Sequence, residues 1–481
     1  MSLNASEQYL NEWKNRQNLA EKMIPLVGQL YRDRGLVILM YGRRLMNATT
    51  IDILKAHRYA RQMVGFELDI ATSFDMLEAI AGMDLSPARL DLGKLCSTFM
   101  DPANTLDMKT FLTQQLASID TGKKSPLEEP QDVVLYGFGR IGRLLARLLI
   151  ERTGAGNKMR LRAFVVRGGR EGDLKKRASL LRRDSVHGPF NGSIIIDEKN
   201  NAIIANGNYI QVIYADSPDS IDYTQYGIHN ALVVDNTGIW KDEAGLGLHL
   251  KSKGTSKVLL TAPAKGDIKN IVYGVNHDEI SADDKILCAA SCTTNAIVPV
   301  LKVLNDTLGI NNGHLETIHA YTNDQNLIDN YHKAERRGRS APLNMVITST
   351  GAAKAVAKAL PELAGKLTGN AIRVPTPNVS MALMNLNLGR KTSVEELNGL
   401  LREASLNSQL REQIGFTTST ELVSSDLVGS TEAGIVDSAA TIVEDNRAVL
   451  YVWYDNEAGY SNQVIRVMQD MTGLKLPNLP A

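Results

Sequence analysis

The sequence predicts an α/β protein in which a parallel-sheet domain is followed by an α+β domain with a mainly antiparallel sheet and is preceded by an all-helical extension. Three observations predict this order. Apolar residues recur at helical spacing in the first 118 residues, short β-rich runs alternate with helical segments from residue 131, and longer strand-like runs follow residue 294. A chain of 481 residues is also too long for one core.

The extension, residues 1–118, is predicted to contain helices and no strands. Trp13 and the apolar positions that follow it recur near helical spacing. Thr49 and Thr50 can cap a helix, and Ser86 followed by Pro87 is typical of a helix start. Residues 119–130 are polar and contain glycine and proline, which indicates a linker.

Composition narrows the classes of function. Lysine plus arginine and aspartate plus glutamate both number 53, so the balanced charge gives no overall attraction to nucleic acid or an anionic membrane. The three cysteines, Cys96, Cys288 and Cys292, argue against a disulfide framework and for a reducing compartment. No signal-peptide layout and no long apolar run is seen. We therefore expect a cytoplasmic protein with no membrane, nucleic-acid or metal partner.

A glycine-rich loop marks the start of the parallel-sheet domain. Residues 133–136 (VVLY) read as a buried strand, residues 137–142 (GFGRIG) follow, and residues 143–150 read as a helix. A GxGxxG loop can be a structural turn, but between a strand and a helix it is typical of a Rossmann domain, in which the cofactor pyrophosphate lies at the helix N-terminus. The predicted cofactor-binding residues are Gly137, Phe138, Gly139, Arg140, Ile141 and Gly142.

The end of the second strand bears on the choice of cofactor. Rossmann domains usually carry a carboxylate there, which binds the ribose 2′-hydroxyl and repels a 2′-phosphate. In this sequence the strand ends in RGGR (167–170), and Glu171 is the first carboxylate. One interpretation is that Arg167 pairs with the 2′-phosphate of NADP. The other is that these arginines are solvated loop charges and NAD is used.

Cys292 and His319 form the candidate catalytic pair. Cys292 follows a strand-like run and begins an apolar helical segment, where free N–H groups and the helix dipole favour the thiolate. His319 ends another strand-like run and could activate the sulfur. The alternative is a buried cysteine and an unrelated histidine, and we predict the buried, inert state for Cys288.

Several long segments, in order from about residue 131 to 475, closely resemble the phosphorylating glyceraldehyde-3-phosphate dehydrogenase family. They are YGFGRIGR (136–143), DSVHG (184–188), ASCTTN (290–295), HAYT (319–322), STGAAK (349–354), RVPTPN (373–378) and YDNEAGYSN (454–462). The first 130 residues lie outside the resemblance. It implies an NAD(P)-binding Rossmann domain (131–291), a catalytic domain (292–455), a C-terminal helix returning to the Rossmann domain (456–481) and a homotetramer.

The resemblance also implies the reaction. Cys292 would attack the aldehyde of D-glyceraldehyde 3-phosphate, with His319 as general base. Hydride would pass to NAD or NADP, and inorganic phosphate would release the resulting thioester as 1,3-bisphosphoglycerate.

Further roles follow from position in the matching segments. Thr322 and Arg373 would contact the substrate phosphate. The residues expected around the attacking phosphate are Ser291, Thr293, Arg339, Thr350 and Gly351. Those expected along the cofactor, in addition to the glycine loop, are Thr237, Gly238, Thr261, Asn456 and Tyr460.

Two departures favour a gluconeogenic or NADP-tolerant enzyme over a strictly glycolytic one. The acidic residue of the second strand is absent, and Asp324 stands where glycolytic members usually carry threonine. Beside a phosphate, Asp324 would be unfavourable unless an arginine offset it.

Two alternatives stay open. An erythrose-4-phosphate dehydrogenase would use the same cysteine and histidine, although Thr350 and Arg339 favour the phosphorylating route. A regulatory or interaction protein could also use a dehydrogenase scaffold, with the extension recruiting an unknown partner. The simpler interpretation is that the extension only packs and adds stability.

Overall fold

The computed structural model describes residues 3–120, 122, 127, 129–153, 158–474 and 476–480. Much of the predicted linker, residues 121, 123–126 and 128, lies outside this described part. The chain divides into two compact units. The first comprises Met1–Pro130, Thr153–Lys158 and Leu474–Ala481, and the second comprises Gln131–Arg152 and Met159–Gly473. The domain limits predicted from the sequence stay predictions.

The first unit is mainly helical, as predicted. Its elements in chain order are α1 (Leu3–Arg34), β1 (Val37–Met40), β2 (Arg43–Arg44), α2 (Thr50–Val64), α3 (Ile70–Ala81), β3 (Arg89–Asp91), α4 (Leu92–Phe99) and α5 (Met108–Gln115). Thr49 caps α2 as predicted, and its side chain and that of Asp52 form a capping box. Ser86 does not start a helix; α4 begins at Leu92 and is capped by Asp91.

The second unit begins with a sheet crossed by helices. The elements are β4 (Gln131–Tyr136), α6 (Arg140–Arg152), β5 (Met159–Val166), α7 (Asp173–Arg182), β6 (Ile194–Asp197), β7 (Ala202–Ala205), β8 (Asn208–Tyr214), β9 (Ala231–Asp235), α8 (Glu243–Lys251), β10 (Thr255–Leu260) and β11 (Ile286–Cys288). The strand order is β11-β10-β9-β4-β5-β8-β7-β6. All neighbours are parallel except β8-β7 and β7-β6, which form an antiparallel edge. The predicted parallel sheet is confirmed.

A second sheet and its covering helices follow. The elements are α9 (Cys292–Leu308), β12 (Ile310–Ala320), β13 (Val346–Ser349), α10 (Ala352–Ala359), β14 (Leu367–Val374), β15 (Ser380–Leu388), α11 (Val394–Asn407), β16 (Ile414–Thr417), β17 (Gly434–Asp437), β18 (Ile442–Glu444), β19 (Arg447–Tyr454) and α12 (Ala458–Met471). The last strand, β20 (Asn478–Leu479), belongs to the first unit. The main path is β13-β14-β12-β15-β19-β17-β16. Only β12-β14 and β16-β17 are parallel along it, so the prediction of a mainly antiparallel sheet is confirmed.

The core of this second sheet places the start of α9. Leu301 and Leu304 of α9 are fully buried in one apolar cluster with Leu315 of β12, Met384 of β15 and Leu450 of β19. Burial of several large apolar side chains contributes a few kcal/mol each, so α9 is fixed on the sheet. Its first residue, Cys292, is therefore held in one place.

The prediction that the extension is all-helical is wrong. Strands β2, β1, β3 and β20 form a four-stranded sheet within the first unit. All four residues of β1 are buried, so the strand shows no alternation of apolar and polar residues. It lies between Gly35 and Gly42, which adopt positive φ angles of 67° and 79° and allow the turns at both ends.

The C-terminal helix is shorter than the predicted segment 456–481. It ends at Met471, and β20 pairs in parallel with β3 in the first unit. The Arg89 amide donates to the carbonyl of Pro477 at 2.8 Å. A two-residue strand that pairs with a segment almost 400 residues away leaves no local sequence signal.

No helix among the described residues combines the length and the apolar character that crossing a membrane requires.

Leu90 offers a test of the small sheet. It is fully buried on β3, opposite Ile38 of β1. We expect Leu90→Ala to lower the free energy of unfolding of the first unit by about 2–5 kcal/mol, because the truncation leaves a cavity. Hydrogen exchange of β1 and β3 amides measures it. Leu10→Ala, at a position 54% exposed, is the control and should leave protection unchanged. Equal exchange in both variants would contradict the packing described.

Candidate active site

Cys292 is the first residue of α9. Ser291 caps the helix, with its hydroxyl oxygen accepting from the Thr294 amide at 3.1 Å. The turn before it is held in place: Ala290 has a positive φ of 54°, and its carbonyl accepts from the Tyr460 hydroxyl at 3.0 Å. A non-glycine residue in this conformation costs of order 1 kcal/mol and persists only where its surroundings enforce it.

His319 faces the sulfur. Its Nε2 lies 3.5 Å from Cys292 Sγ, and its Nδ1 lies 2.6 Å from the carbonyl oxygen of Ala320. In the tautomer that carries its proton on Nδ1, this nitrogen donates to the Ala320 carbonyl, and Nε2 is an acceptor directed at the thiol. The structure thus brings together the two residues that the sequence singled out as a catalytic pair.

Arg373 lies beside His319 because the parallel strands β12 and β14 place the two residues opposite each other. Its Nη1 donates to the Ala320 carbonyl at 2.9 Å and lies 2.8 Å from His319 Nδ1. Its Nε is buried without a hydrogen-bond partner. A guanidinium donor left unpaired in this position is available to an anion.

The pKa values of the pair follow from burial and from this guanidinium. Burial and the charge of Arg373 lower the pKa of His319 to about 3, so the imidazole is neutral near pH 7 and is a weaker base than a free imidazole. Burial raises the pKa of the Cys292 thiol, and the Arg373 charge opposes that shift. From the sequence, we expect the helix N-terminus to favour the thiolate. The structure adds burial of the sulfur, which disfavours the thiolate.

The other cysteine of this region is inert, as predicted. Cys288 is fully buried, its Sγ lies 3.0 Å from the carbonyl oxygen of Ala262, and burial raises its pKa to about 11.

The two arginines of the loop before β13 have different surroundings. Arg339 is exposed and donates to Asp329 at 2.8 Å, so the structure does not bring it to the cysteine. Arg337 is half-buried, and its Nε and Nη2 donate to the Thr348 hydroxyl at 3.0–3.1 Å. Arg337 also forms an ion pair with Asp324. This is the arginine that Asp324 would need in order to lie beside a phosphate. Three arginines within four residues gave no signal of which one points inward.

The remaining hydroxyl groups have mixed environments. Thr293 does not cap α9; its hydroxyl lies 2.9 Å from that of Tyr454, which lies 2.6 Å from that of Thr317. Thr350 accepts from the Ala352 amide at 3.2 Å at the start of α10, next to Gly351. Thr322 is half-buried in the turn after β12.

Tyr454 is the residue that sequence reasoning missed. It is buried at the end of β19, and its ring centroid lies 6.0 Å from that of His319 in an edge-on arrangement. The sequence did contain a signal for Tyr454, since this residue ends an apolar run and directly precedes Asp455 and Asn456.

The glycine loop fits a dinucleotide. Gly137 has a φ of +100°, and a Cβ on Gly142 would lie 2.4 Å from the Gly137 carbonyl oxygen, so helix and turn pack too closely for any side chain. A Cβ on Gly139 would meet no atom within 4 Å, which leaves room for a pyrophosphate. Phe138 packs on Phe164 with ring centroids 4.4 Å apart, and Ile141 is half-buried.

Arg140 differs from the expectation for a cofactor ligand. Its guanidinium is occupied by carboxylates: Nη1 donates to Asp184 at 2.6 Å and Nε to Glu457 at 2.9 Å. Only its backbone amide, at the start of α6, is placed as the fingerprint expects.

The other predicted cofactor residues lie at strand ends of this sheet. Thr237 and Gly238 follow β9, and both the Thr237 amide and its hydroxyl donate to the buried carboxylate of Asp235 at 2.7 Å. Thr261 follows β10 and donates to the Asp235 carbonyl at 3.0 Å. Arg167 follows β5 and is exposed. Carboxyl ends of parallel strands are where such sheets bind ligands.

Asn456 and Tyr460 flank the start of α12. The Asn456 side-chain oxygen accepts from the Ser380 hydroxyl at 2.9 Å, and that hydroxyl oxygen also accepts from the Ala320 amide at 3.0 Å. Asn456 is thereby linked to the residue after His319. Among the described residues, no group of three metal-binding side chains is found.

Two family models match the chain. The model of the glyceraldehyde 3-phosphate dehydrogenase NAD-binding domain matches residues 131–243, and that of the C-terminal domain matches residues 291–456. Together they cover β4 to β9 of the parallel sheet and β12 to β19 of the second sheet.

Curated relatives agree. A protein named glyceraldehyde-3-phosphate dehydrogenase-like protein, from Pseudomonas aeruginosa, is 62% identical over 460 residues, 95% of this chain and 100% of that protein. The glyceraldehyde-3-phosphate dehydrogenase of Zymomonas mobilis is 40% identical over 70% of this chain and 98% of its own length. Chloroplastic glyceraldehyde-3-phosphate dehydrogenase A of Zea mays is 39% identical over 74% and 86%. The chain belongs to the glyceraldehyde-3-phosphate dehydrogenase family.

Proposed function

We propose that the protein catalyses the reversible phosphorylating oxidation of D-glyceraldehyde 3-phosphate to 1,3-bisphosphoglycerate. The carrying observation is Cys292 Sγ at the N-terminus of α9, 3.5 Å from the acceptor nitrogen of a neutral His319. A thiol that can lose its proton to a fixed imidazole is an activated nucleophile.

In this mechanism the sulfur attacks the aldehyde carbon while its proton passes to His319. The imidazolium returns the proton to the carbonyl oxygen, which gives a hemithioacetal. His319 takes the hydroxyl proton of this adduct, and NAD or NADP, when bound, would supply the acceptor for its hydride, which leaves a thioester. Inorganic phosphate then attacks the thioester carbonyl, and the Cys292 sulfur leaves as the acyl phosphate forms.

We assign the recognition of phosphate to two arginine side chains. Arg373 carries an unpaired buried Nε–H, and Arg337 adds a second positive charge. Ser291, Thr293, Thr322, Thr350 and Gly351 supply further donors in the proposed sites. Because Arg339 is exposed, Thr350 is the remaining one of the two residues that favour the phosphorylating route over erythrose-4-phosphate oxidation.

We also propose that NADP is accepted beside NAD. Arg167 and Arg170 are exposed at the end of β5, Glu171 is the nearest carboxylate in sequence, and Asp173 is already paired with Arg177. A 2′-phosphate at the end of β5 would thus lie beside two exposed arginines, and the carboxylate that usually ends this strand is absent.

Exposed apolar side chains in the loop between β12 and β13 support a homotetramer. Five large apolar side chains of this loop are 73–91% exposed: Leu327, Ile328, Tyr331, Leu343 and Met345. Apolar groups so concentrated indicate a surface that another protein covers. We propose that further copies of the chain cover it, in a cytoplasmic enzyme.

The first prediction concerns the sulfur. Cys292→Ser should abolish aldehyde oxidation, because a serine hydroxyl is not ionised by this base and forms no thioester. Cys288→Ser, at the inert cysteine, is the matched control and should keep most of the activity. Reduced-cofactor absorbance is followed with glyceraldehyde 3-phosphate and with erythrose 4-phosphate, each with and without inorganic phosphate. Activity that needs no phosphate, or that favours erythrose 4-phosphate, would contradict the proposal.

A second prediction concerns the charge beside the pair. Since the Arg373 guanidinium lowers the pKa of Cys292, Arg373→Met should move the midpoint of the pH profile of iodoacetamide alkylation to higher pH. Alkylation at pH 7 should slow accordingly. Arg339→Met, at the exposed arginine, is the control. A midpoint that stays in place or moves down would show that Arg373 does not act on the sulfur.

A third prediction concerns cofactor choice. The double substitution Arg167→Ala, Arg170→Ala should lower kcat/KM with NADP about tenfold, the effect of losing one charged hydrogen bond. The value with NAD serves as the internal control and should hardly change. No activity of the wild type with NADP, or an equal loss with both cofactors, would argue that the two arginines are solvated loop charges.

A further inference from the structure

A cluster of charged side chains joins the glycine loop to the segment that carries Asn456. Arg140 donates to Asp184 at 2.6 Å and to Glu457 through two nitrogens. Its Nη2 lies 3.2 Å from His187 Nδ1, while His187 Nε2 lies 3.1 Å from an oxygen of Asp455. These five residues form what we call the Arg140 cluster.

Further hydrogen bonds hold the residues of the cluster in place. Burial acts to raise the pKa of Asp184, but the His187 amide and the Arg140 guanidinium together lower it to about 2. The Asp184 carboxylate is therefore ionised at neutral pH, and it also accepts from the amides of Val186 and His187 at 2.9 Å. The second pair, between Arg140 and Glu457, is bidentate and half-buried, and such pairs have defined geometry and contribute more than exposed ones.

Asn456 lies between two members of the cluster. On one side, Asp455 accepts from the amides of Gly429, Glu457 and Ala458 at 2.8–2.9 Å. On the other side, Glu457 is held by Arg140. With both neighbours fixed in this way, the backbone at Asn456 has little freedom, and its side chain is set by the bond from Ser380.

We propose that the Arg140 cluster positions Asn456 for the nicotinamide end of the cofactor, so that Arg140 is a positioning residue and not a pyrophosphate ligand. The proposal rests on the proposed function, and on the role that the family resemblance implies for Asn456, a hydrogen bond to the nicotinamide carboxamide. Its basis is that the guanidinium of Arg140 is directed at Asp184 and Glu457, although the residue lies within the glycine loop.

The test compares two ligands. NAD has a nicotinamide and ADP-ribose lacks it, whereas both carry the same pyrophosphate. In Arg140→Met we expect the dissociation constant of NAD, measured by calorimetry, to rise about tenfold, as for one lost hydrogen bond. That of ADP-ribose should stay within about twofold, because the backbone amides of the loop remain. Glu457→Gln should give the same selective loss and carries the test if Arg140→Met does not fold.

Arg162→Met is the matched control, because Arg162 is equally half-buried and also pairs with a carboxylate, that of Asp132, at 2.9 Å. It lies on β5 of the same sheet and should change neither constant. An equal loss of NAD and ADP-ribose binding would overturn the proposal and make Arg140 a pyrophosphate ligand. No loss in either binding constant would overturn it too. Since the readout is binding, it does not depend on which aldehyde the enzyme oxidises.

Discussion

The site depends on the parallel pairing of β12 with β14. This pairing sets His319 opposite Arg373, and both side chains converge on the carbonyl of Ala320. One carbonyl oxygen thereby contacts both the imidazole and the guanidinium. A shift of one residue in this register would turn the side chains of the shifted strand to the other face of the sheet. The sulfur on α9 would then lose either the base or the cation.

The positive charge of Arg373 acts to lower the pKa values of two groups. For His319 this keeps the base neutral, and for Cys292 it favours ionisation of the nucleophile. Burial assists the first effect and opposes the second, because a low-dielectric site disfavours any charged form. An anionic substrate close to Arg373 would weaken both effects, so substrate binding and proton transfer between sulfur and imidazole are coupled through one residue.

Much of the second unit could be predicted because its signals are local. The glycine loop, the alternation of strands and helices, and Cys292 at a helix start each depend on neighbouring residues. The failures are non-local. Arg337 and Arg339 differ only in the direction that the loop gives their side chains. Arg140 forms ion pairs with Asp184 and Glu457, which lie 44 and 317 positions away in the sequence. In the first unit, β1 is buried on all sides and lacks the alternation by which a strand is recognised.

The pairing of β20 with β3 has a consequence for synthesis of the chain. A ribosome makes residues 89–91 well before residues 478–479. Until β20 is made, the edge of β3 that pairs with it is open, and an open strand edge can pair with another chain. The sheet of the first unit is thus completed only after residues 159–473 of the second unit have been made. A chain that lacks residues 478–479 would carry its defect in that sheet.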